Sequence, residues 1–275
     1  MRSDVQVVNE ALTLFAEGER GVFLRGKGQD IAFKAMIADA ARYPAIPGTS
    51  ALFHNITQDI WNISTIVERL HWTRARACHD GELRDKWMSY AAADIQAVHV
   101  EIRSVLDYVA QIVPAFCPKP GQLPDASFRK LLKWVGDNPN RIDGVLRSVL
   151  LEQETWFMEV RGTRDLLLHL GGFAIVFGGP EDGILFQIFK AGWRKVVDKP
   201  FLMYNENVAY FERYAALYLA RLLMFLEDLA TVLEGMFDVP VADPKTENYA
   251  LGHAVIRSWV RDLHLLLLGT SDGVA

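Results

Sequence analysis

The residues best suited to chemistry are Arg164, Asp165 and His169, which interrupt an apolar run that ends in two glycines. On a helix, Asp165 and His169 are four residues apart and share a face, so the carboxylate can hydrogen-bond to the imidazole and fix its tautomer. Arg164 lies about 140° around a straight helix from His169. Its long side chain can lean back, and Gly171 with Gly172 can end the helix just after the histidine. Such a pair suits phosphodiester cleavage, because histidine transfers protons while arginine binds phosphate and its developing charge.

The six residues from Arg164 to His169 resemble the signature of HEPN domains (higher eukaryotes and prokaryotes nucleotide-binding). In that signature an arginine is followed by a polar residue, usually Asn, Asp or His, then by three variable positions and a histidine. The family's fold is a small α-helical bundle that usually dimerises. Many members are metal-independent endoribonucleases that serve as toxins or in antiviral defence, while others are inactive binding or regulatory modules.

This resemblance implies that Arg164 and His169 are catalytic and that Asp165 supports them. It also implies a homodimer that cleaves single-stranded RNA without a cofactor or a metal ion, and for a toxin it implies a protein partner such as an antitoxin. An arginine five residues before a histidine occurs twice, at Arg74–His79 and at Arg164–His169, but only the second arginine is followed by Asn, Asp or His. The alternative is a non-enzymatic α-helical interaction or regulatory protein in which the trio is structural. The sequence leaves both open.

Two other patterns resemble metal sites. Glu68 and His71 form the Glu-x-x-His half-motif of di-iron bundles, but the sequence contains no second copy. His79 and Asp80 are similar to the pair in HD-type metal phosphohydrolases, but they stand directly before Gly81, where a turn between helices explains them. We therefore expect no metal site.

Two tryptophans are candidates for contacts with RNA. Trp156 lies eight residues before Arg164, on nearly the same helical face, and could form a wall of the same cleft. Trp193 is followed by Arg194 and Lys195 in the most basic aromatic stretch of the chain. If RNA binds, these residues are expected to contact it.

Composition limits the class of protein. The 275 residues are 51% hydrophobic and 23% charged, which is typical of a globular chain with a sizeable core. The net charge of −5 provides no overall attraction to nucleic acid or anionic lipid, so a polyanion site has to be a local basic patch. Two cysteines form no disulfide framework, and the sequence shows neither a signal peptide nor a membrane span. We expect a soluble cytoplasmic protein.

Periodicity predicts a mainly α fold, an antiparallel helical bundle with one β-hairpin inserted at about 173–198. We expect a single helical domain over 1–275, with a subdivision into N-terminal helices (1–113) and motif-bearing helices plus hairpin (125–275) on either side of a Pro/Gly-rich connector. The predicted helices cover 3–18, 30–43, 49–78, 82–113, 126–139, 141–170, 206–237 and 246–268.

Overall fold

The computed structural model describes residues 2–29, 49–115, 123–124, 127–169, 172–189, 193, 197, 199–234, 248–249 and 252–271. Within them the chain is mainly α-helical, as the sequence predicts. The helices are α1 (Asp4–Leu12), α2 (Thr49–Ala77), α3 (Gly81–Ala115), α4 (Phe128–Asp137), α5 (Gly144–Leu151), α6 (Glu154–Leu168), α7 (Phe211–Glu234) and α8 (His253–Ser271). The predicted helix over 30–43 lies outside the described residues. No helix in the described part of the chain is both long and apolar enough to cross a lipid bilayer.

The long antiparallel hairpin of α2 and α3 is the largest helix–helix contact of the fold. The apolar residues of α2 have the three-and-four spacing expected of an amphipathic helix, and they are buried against α3. The buried positions of α2 include Ile56, Ile60, Ile63, Val67 and Leu70. The sequence therefore predicted both helices to within a few residues. α3 runs one residue past Pro114, where the sequence predicted it to stop.

The inserted hairpin consists of β3 (Ala174–Phe177) and β4 (Leu185–Ile188), which pair in antiparallel fashion as predicted. A short strand, β5 (Ala209–Tyr210), extends this sheet directly before α7. The loop between β3 and β4 makes a turn of 3₁₀ helix at Pro180–Asp182. Gly178 and Gly183 have positive φ on either side of that turn, where glycine meets no steric penalty.

A second hairpin near the N-terminus corrects the predicted helix over 3–18. Ser3 caps α1 as expected, but the helix ends at Leu12. β1 (Phe15–Gly18) then pairs with β2 (Gly21–Leu24), and β6 (Asn248–Tyr249) pairs with β2. Residues 15–18 could also form a helix, but they adopt a strand because Gly18 and Gly21 flank a tight turn and the strand pairing buries Phe15, Phe23 and Leu24.

The helix predicted over 141–170 is in fact two helices, α5 and α6, separated by Glu152 and Gln153. Gln153 stabilises the break, because its side chain donates to the carbonyl of Val149 (2.7 Å) and accepts from the indole N–H of Trp156 (2.8 Å). Gln153 is buried, so these bonds satisfy a polar group that would otherwise be costly to desolvate. The break gives α6 a direction of its own.

α7 lies in the centre of the fold and α6 contacts both α7 and α3. Polar side chains join the three helices inside the core. His99 of α3 donates from Nδ1 to the carbonyl of Ile95 (2.7 Å), so its Nε2 accepts from the hydroxyl of Tyr214 (2.9 Å). The hydroxyl of Tyr218 donates to Glu159 of α6 (2.7 Å). These directional bonds fix the helix that carries the candidate site against its neighbours.

Candidate active site at the end of helix α6

The local fold of α6 places the motif at a helix terminus. Phe157, Val160, Thr163 and the leucines 166 and 167 are buried and anchor one face of the helix. The last helical residue is Leu168, and His169 is the C-cap, with its backbone N–H bonded to the carbonyl of Asp165 (3.0 Å). The His169 side chain is exposed. The motif therefore lies where a helix ends at the protein surface.

Arg164 and His169 are in direct contact. Nη1 of Arg164 lies 2.6 Å from Nε2 of His169. A guanidinium can only donate, so Nε2 of the imidazole accepts this bond and bears a lone pair. The side chain of Arg164 is long enough to span the five positions between the two residues. About a quarter of the Arg164 side chain is exposed, so the pair is accessible from solvent.

Asp165 orients the arginine. One carboxylate oxygen lies 3.2 Å from Nη1 of Arg164, and the other lies 3.0 Å from Nη2 of Arg161, one turn earlier. The sequence predicted a side-chain bond from Asp165 to His169. The structure instead shows the carboxylate bridging two arginines, because charged pairs between i and i+4 and between neighbours are within reach and stronger than a bond to a neutral imidazole. The link from Asp165 to His169 is made through the backbone.

A third arginine, Arg103 of α3, lies close to this group and was not singled out by sequence reasoning. Its guanidinium lies over the ring of Phe157 of α6, 5.4 Å from the centroid, and its Nη2 bonds to Asp107 (3.0 Å) and to Ser127 (3.2 Å). Burial lowers the pKa of Arg103; Asp107 raises it, and the positive charges of Arg164 and Arg161 lower it again. The basic cluster thus comprises Arg103, Arg161 and Arg164, with Asp107 and Asp165 as its carboxylates.

The remaining predicted contact residues lie elsewhere or outside the described residues. Trp156 is buried and, with Glu159 and Tyr218, lines a cavity of about 260 Å³ that does not include Arg164 or His169. Trp193 is also buried and packs edge-to-face on Phe186, with the ring centroids 5.4 Å apart. Arg194 and Lys195 lie outside the described residues.

The second Arg-x-x-x-x-His spacing, at Arg74 and His79, forms no comparable pair. Nε of Arg74 donates to the carbonyl of Pro180 (2.5 Å) and its Nη1 bonds to Glu212 (3.0 Å). His79 follows the end of α2, in the turn that leads to α3. Among the described residues, no group of three His, Cys, Asp or Glu side chains is arranged to hold a metal ion, Glu68 and His71 included.

Comparison with known proteins adds no assignment. No family model, no curated protein and no solved structure matches this chain. The candidate function therefore depends on the residues and their geometry. Those residues offer an imidazole with a lone pair, an adjacent guanidinium, and a surplus of positive charge on a protein whose overall charge is negative.

Proposed function

We propose that this protein is a HEPN-like, metal-independent endoribonuclease that cleaves single-stranded RNA with Arg164 and His169. The observation that carries the proposal is the 2.6 Å contact between Nη1 of Arg164 and Nε2 of His169 at an exposed helix end. The pair combines a proton acceptor with a phosphate-binding cation. Its position in a local basic cluster supplies the attraction to a polyanion that the net charge of −5 does not.

The chemistry follows from the nucleophile that RNA itself carries. The 2′-hydroxyl oxygen attacks phosphorus and passes its proton to Nε2 of His169, while the bond from phosphorus to the 5′-oxygen breaks. Arg164 leaves the imidazole, binds the phosphate and stabilises the negative charge that develops on its oxygens. Asp165 holds the guanidinium in place for this exchange.

The leaving 5′-oxygen needs a proton, and a homodimer provides its source. In a homodimer joined across this helix end, His169 of the partner subunit donates that proton while the first histidine accepts the proton of the 2′-hydroxyl. A toxin or defence role with a neutralising partner such as an antitoxin fits such an enzyme. A cytoplasmic location belongs to the same proposal, since two cysteines in 275 residues form no disulfide framework.

The test is cleavage of single-stranded RNA by the purified full-length protein in EDTA, with DNA of the same sequence alongside. We expect RNA cleavage that falls by about 10²-fold or more in both Arg164→Ala and His169→Ala. Arg74→Ala and His79→Ala are the matched controls, because they remove a pair of the same spacing, and they should cleave as the wild type does. Equal activity in all four variants, or no cleavage by the wild type, would contradict the proposal.

A structural role for the trio is the second candidate, and the bridge from Asp165 to Arg161 and Arg164 favours it. Such a bridge stabilises the end of a helix whether or not the protein is an enzyme. In this alternative the protein is a non-enzymatic interaction or regulatory module. His169→Ala would then lower the melting temperature, and neither the wild type nor the variant would cleave RNA.

A further inference from the structure

Arg103 approaches the motif from a different helix. It belongs to α3, whereas Arg161 and Arg164 belong to α6, and its guanidinium is held over Phe157 of α6 by a cation–π contact at 5.4 Å. Only 15% of the Arg103 side chain is exposed. Phe157 lies about one turn before Arg161 and two turns before Arg164 on the same side of α6, so Arg103 lies beside the helix face that carries both arginines. The cluster is therefore assembled across the interface between α3 and α6.

Two nitrogens of this cluster lack partners. Nη1 of Arg103 and Nε of Arg164 are both buried and form no hydrogen bond with any residue that the structure describes. A buried guanidinium N–H without an acceptor costs free energy, and chains normally supply one. The cluster also lacks one negative charge, because its three arginines form ion pairs with only two carboxylates, Asp107 and Asp165.

We propose that Arg103 is a second phosphate-binding residue of this site, so that one phosphate group is held between Arg103 of α3 and Arg164 of α6. A phosphate supplies the acceptor oxygens and the negative charge that the cluster lacks. Because the two partnerless nitrogens are covered, the side chains shift when the anion enters, and Arg164 then releases Nε2 of His169. The proposal extends the proposed function by sharing Arg164 with it, but binding requires no cleavage.

The experiment measures binding of two probes to the full-length protein by isothermal titration calorimetry. One probe is inorganic phosphate, and the other is a single-stranded 2′-O-methyl oligoribonucleotide, which lacks the nucleophile and stays intact. We expect Arg103→Gln to weaken binding by about tenfold or more. Tight binding of the oligonucleotide with weak binding of phosphate identifies a polynucleotide phosphate as the ligand, and similar affinities identify a free or terminal phosphate.

Two further variants separate binding from folding. Arg69→Gln is the matched control, since Arg69 also forms an ion pair with an aspartate of α3, Asp94, and it should bind both probes as the wild type does. Arg103→Lys keeps the positive charge but lacks the planar guanidinium fork that matches two phosphate oxygens, so it should bind more weakly than the wild type. Wild-type affinity in both Arg103 variants would overturn the inference.

The two proposals fail in different ways. Phosphate binding that depends on Arg103, in a protein that cleaves no RNA, would end the nuclease proposal and leave this inference standing. If RNA cleavage needs Arg164 and His169 but Arg103→Gln binds both probes as the wild type does, the nuclease proposal stands and the inference about Arg103 is wrong.

Discussion

Nη1 of Arg164 lies 2.6 Å from Nε2 of His169, although the two residues are five positions apart and would stand about 140° apart on a straight helix. The contact forms because His169 is the C-cap, beyond the last helical residue, and because the arginine side chain is long enough to reach it. The pair occupies an accessible helix end and not the bundle interior. This contact is the geometric basis of the proposed phosphodiester site.

Asp165→Asn should loosen the site and lower stability. The substitution removes the negative charge that bridges Arg161 and Arg164, and all three side chains are about three-quarters buried. The guanidinium groups of Arg161 and Arg164 then repel each other at a partly buried position, where solvent screens charges less than at the open surface. We therefore expect the free energy of unfolding to fall by about 1–2 kcal/mol. Urea unfolding followed by circular dichroism measures this change.

Asp262→Asn is the control for that prediction. Arg261 and Asp262 are also neighbours on a helix and form an ion pair at 3.3 Å, but both side chains are 62% exposed. Exposed pairs contribute little, so the change in stability should be close to zero. Equal losses in the two variants would show that the bridge at Asp165 has no special role.

Stability should fall as the pH falls from about 6.5 to about 4, and His99 with His253 should account for much of the slope. Burial lowers the pKa of each from 6.5 to about 4. Between those values the unfolded chain binds a proton at each histidine that the folded chain does not, so acid favours unfolding and the stabilisation is complete only above about 6.5. Each histidine should contribute about 1.4 kcal/mol per pH unit at most.

The measurement is the free energy of unfolding across this pH range for His99→Gln and His253→Gln. Each substitution should reduce the slope by about one proton, whatever its effect at pH 7. His54→Gln, at an exposed position of α2, serves as the control and should keep the wild-type slope. A slope that is the same in all the variants would contradict the burial of neutral histidines.

Gly252→Ala should disrupt the packing of α8 on α2. A Cβ at position 252 would overlap the backbone carbonyl of Ser64, and backbone atoms cannot move aside cheaply. We expect a loss of about 3 kcal/mol or more in the free energy of unfolding. Gly269→Ala, inside α8 itself, is the control: its Cβ would meet nothing within 4 Å, and it should stabilise the protein by about 0.5–1 kcal/mol. Similar stability of the two variants would mean that α8 is not packed in this way.

The long helices were predictable because their signal is local. The apolar residues of α2 recur every three or four positions, and the turn at His79 and Asp80 comes soon after the helix ends. Both signals can be seen in a short stretch of sequence, and the apolar stripe identifies the face that is buried. The strand at Phe15–Gly18 was not predictable in this way, because it depends on pairing with residues 21–24 and, through them, with residues 248–249. The break between α5 and α6 depends on one buried side chain, Gln153, whose bonds do not show in any periodic pattern.

The candidate site was partly visible in the sequence. The spacing of Arg164 and His169 identified the pair, and the structure places them in contact. Arg103 could not be found from spacing, because its proximity to α6 depends on how two helices pack. The predicted partner of Asp165 was wrong. Asp165 is four residues from both Arg161 and His169, so its carboxylate can reach either side chain, and the sequence does not show which way the arginine points.

If Arg164 and His169 act as one unit on a phosphodiester, a double-mutant cycle on the RNA cleavage rate will show their coupling. The rates of wild type, Arg164→Ala, His169→Ala and the double variant are measured under single-turnover conditions in EDTA. We predict that the double variant is hardly slower than either single variant, because removing one member already disables the pair. Losses that multiply, or no loss in either single variant, would show that the two residues do not act together on RNA.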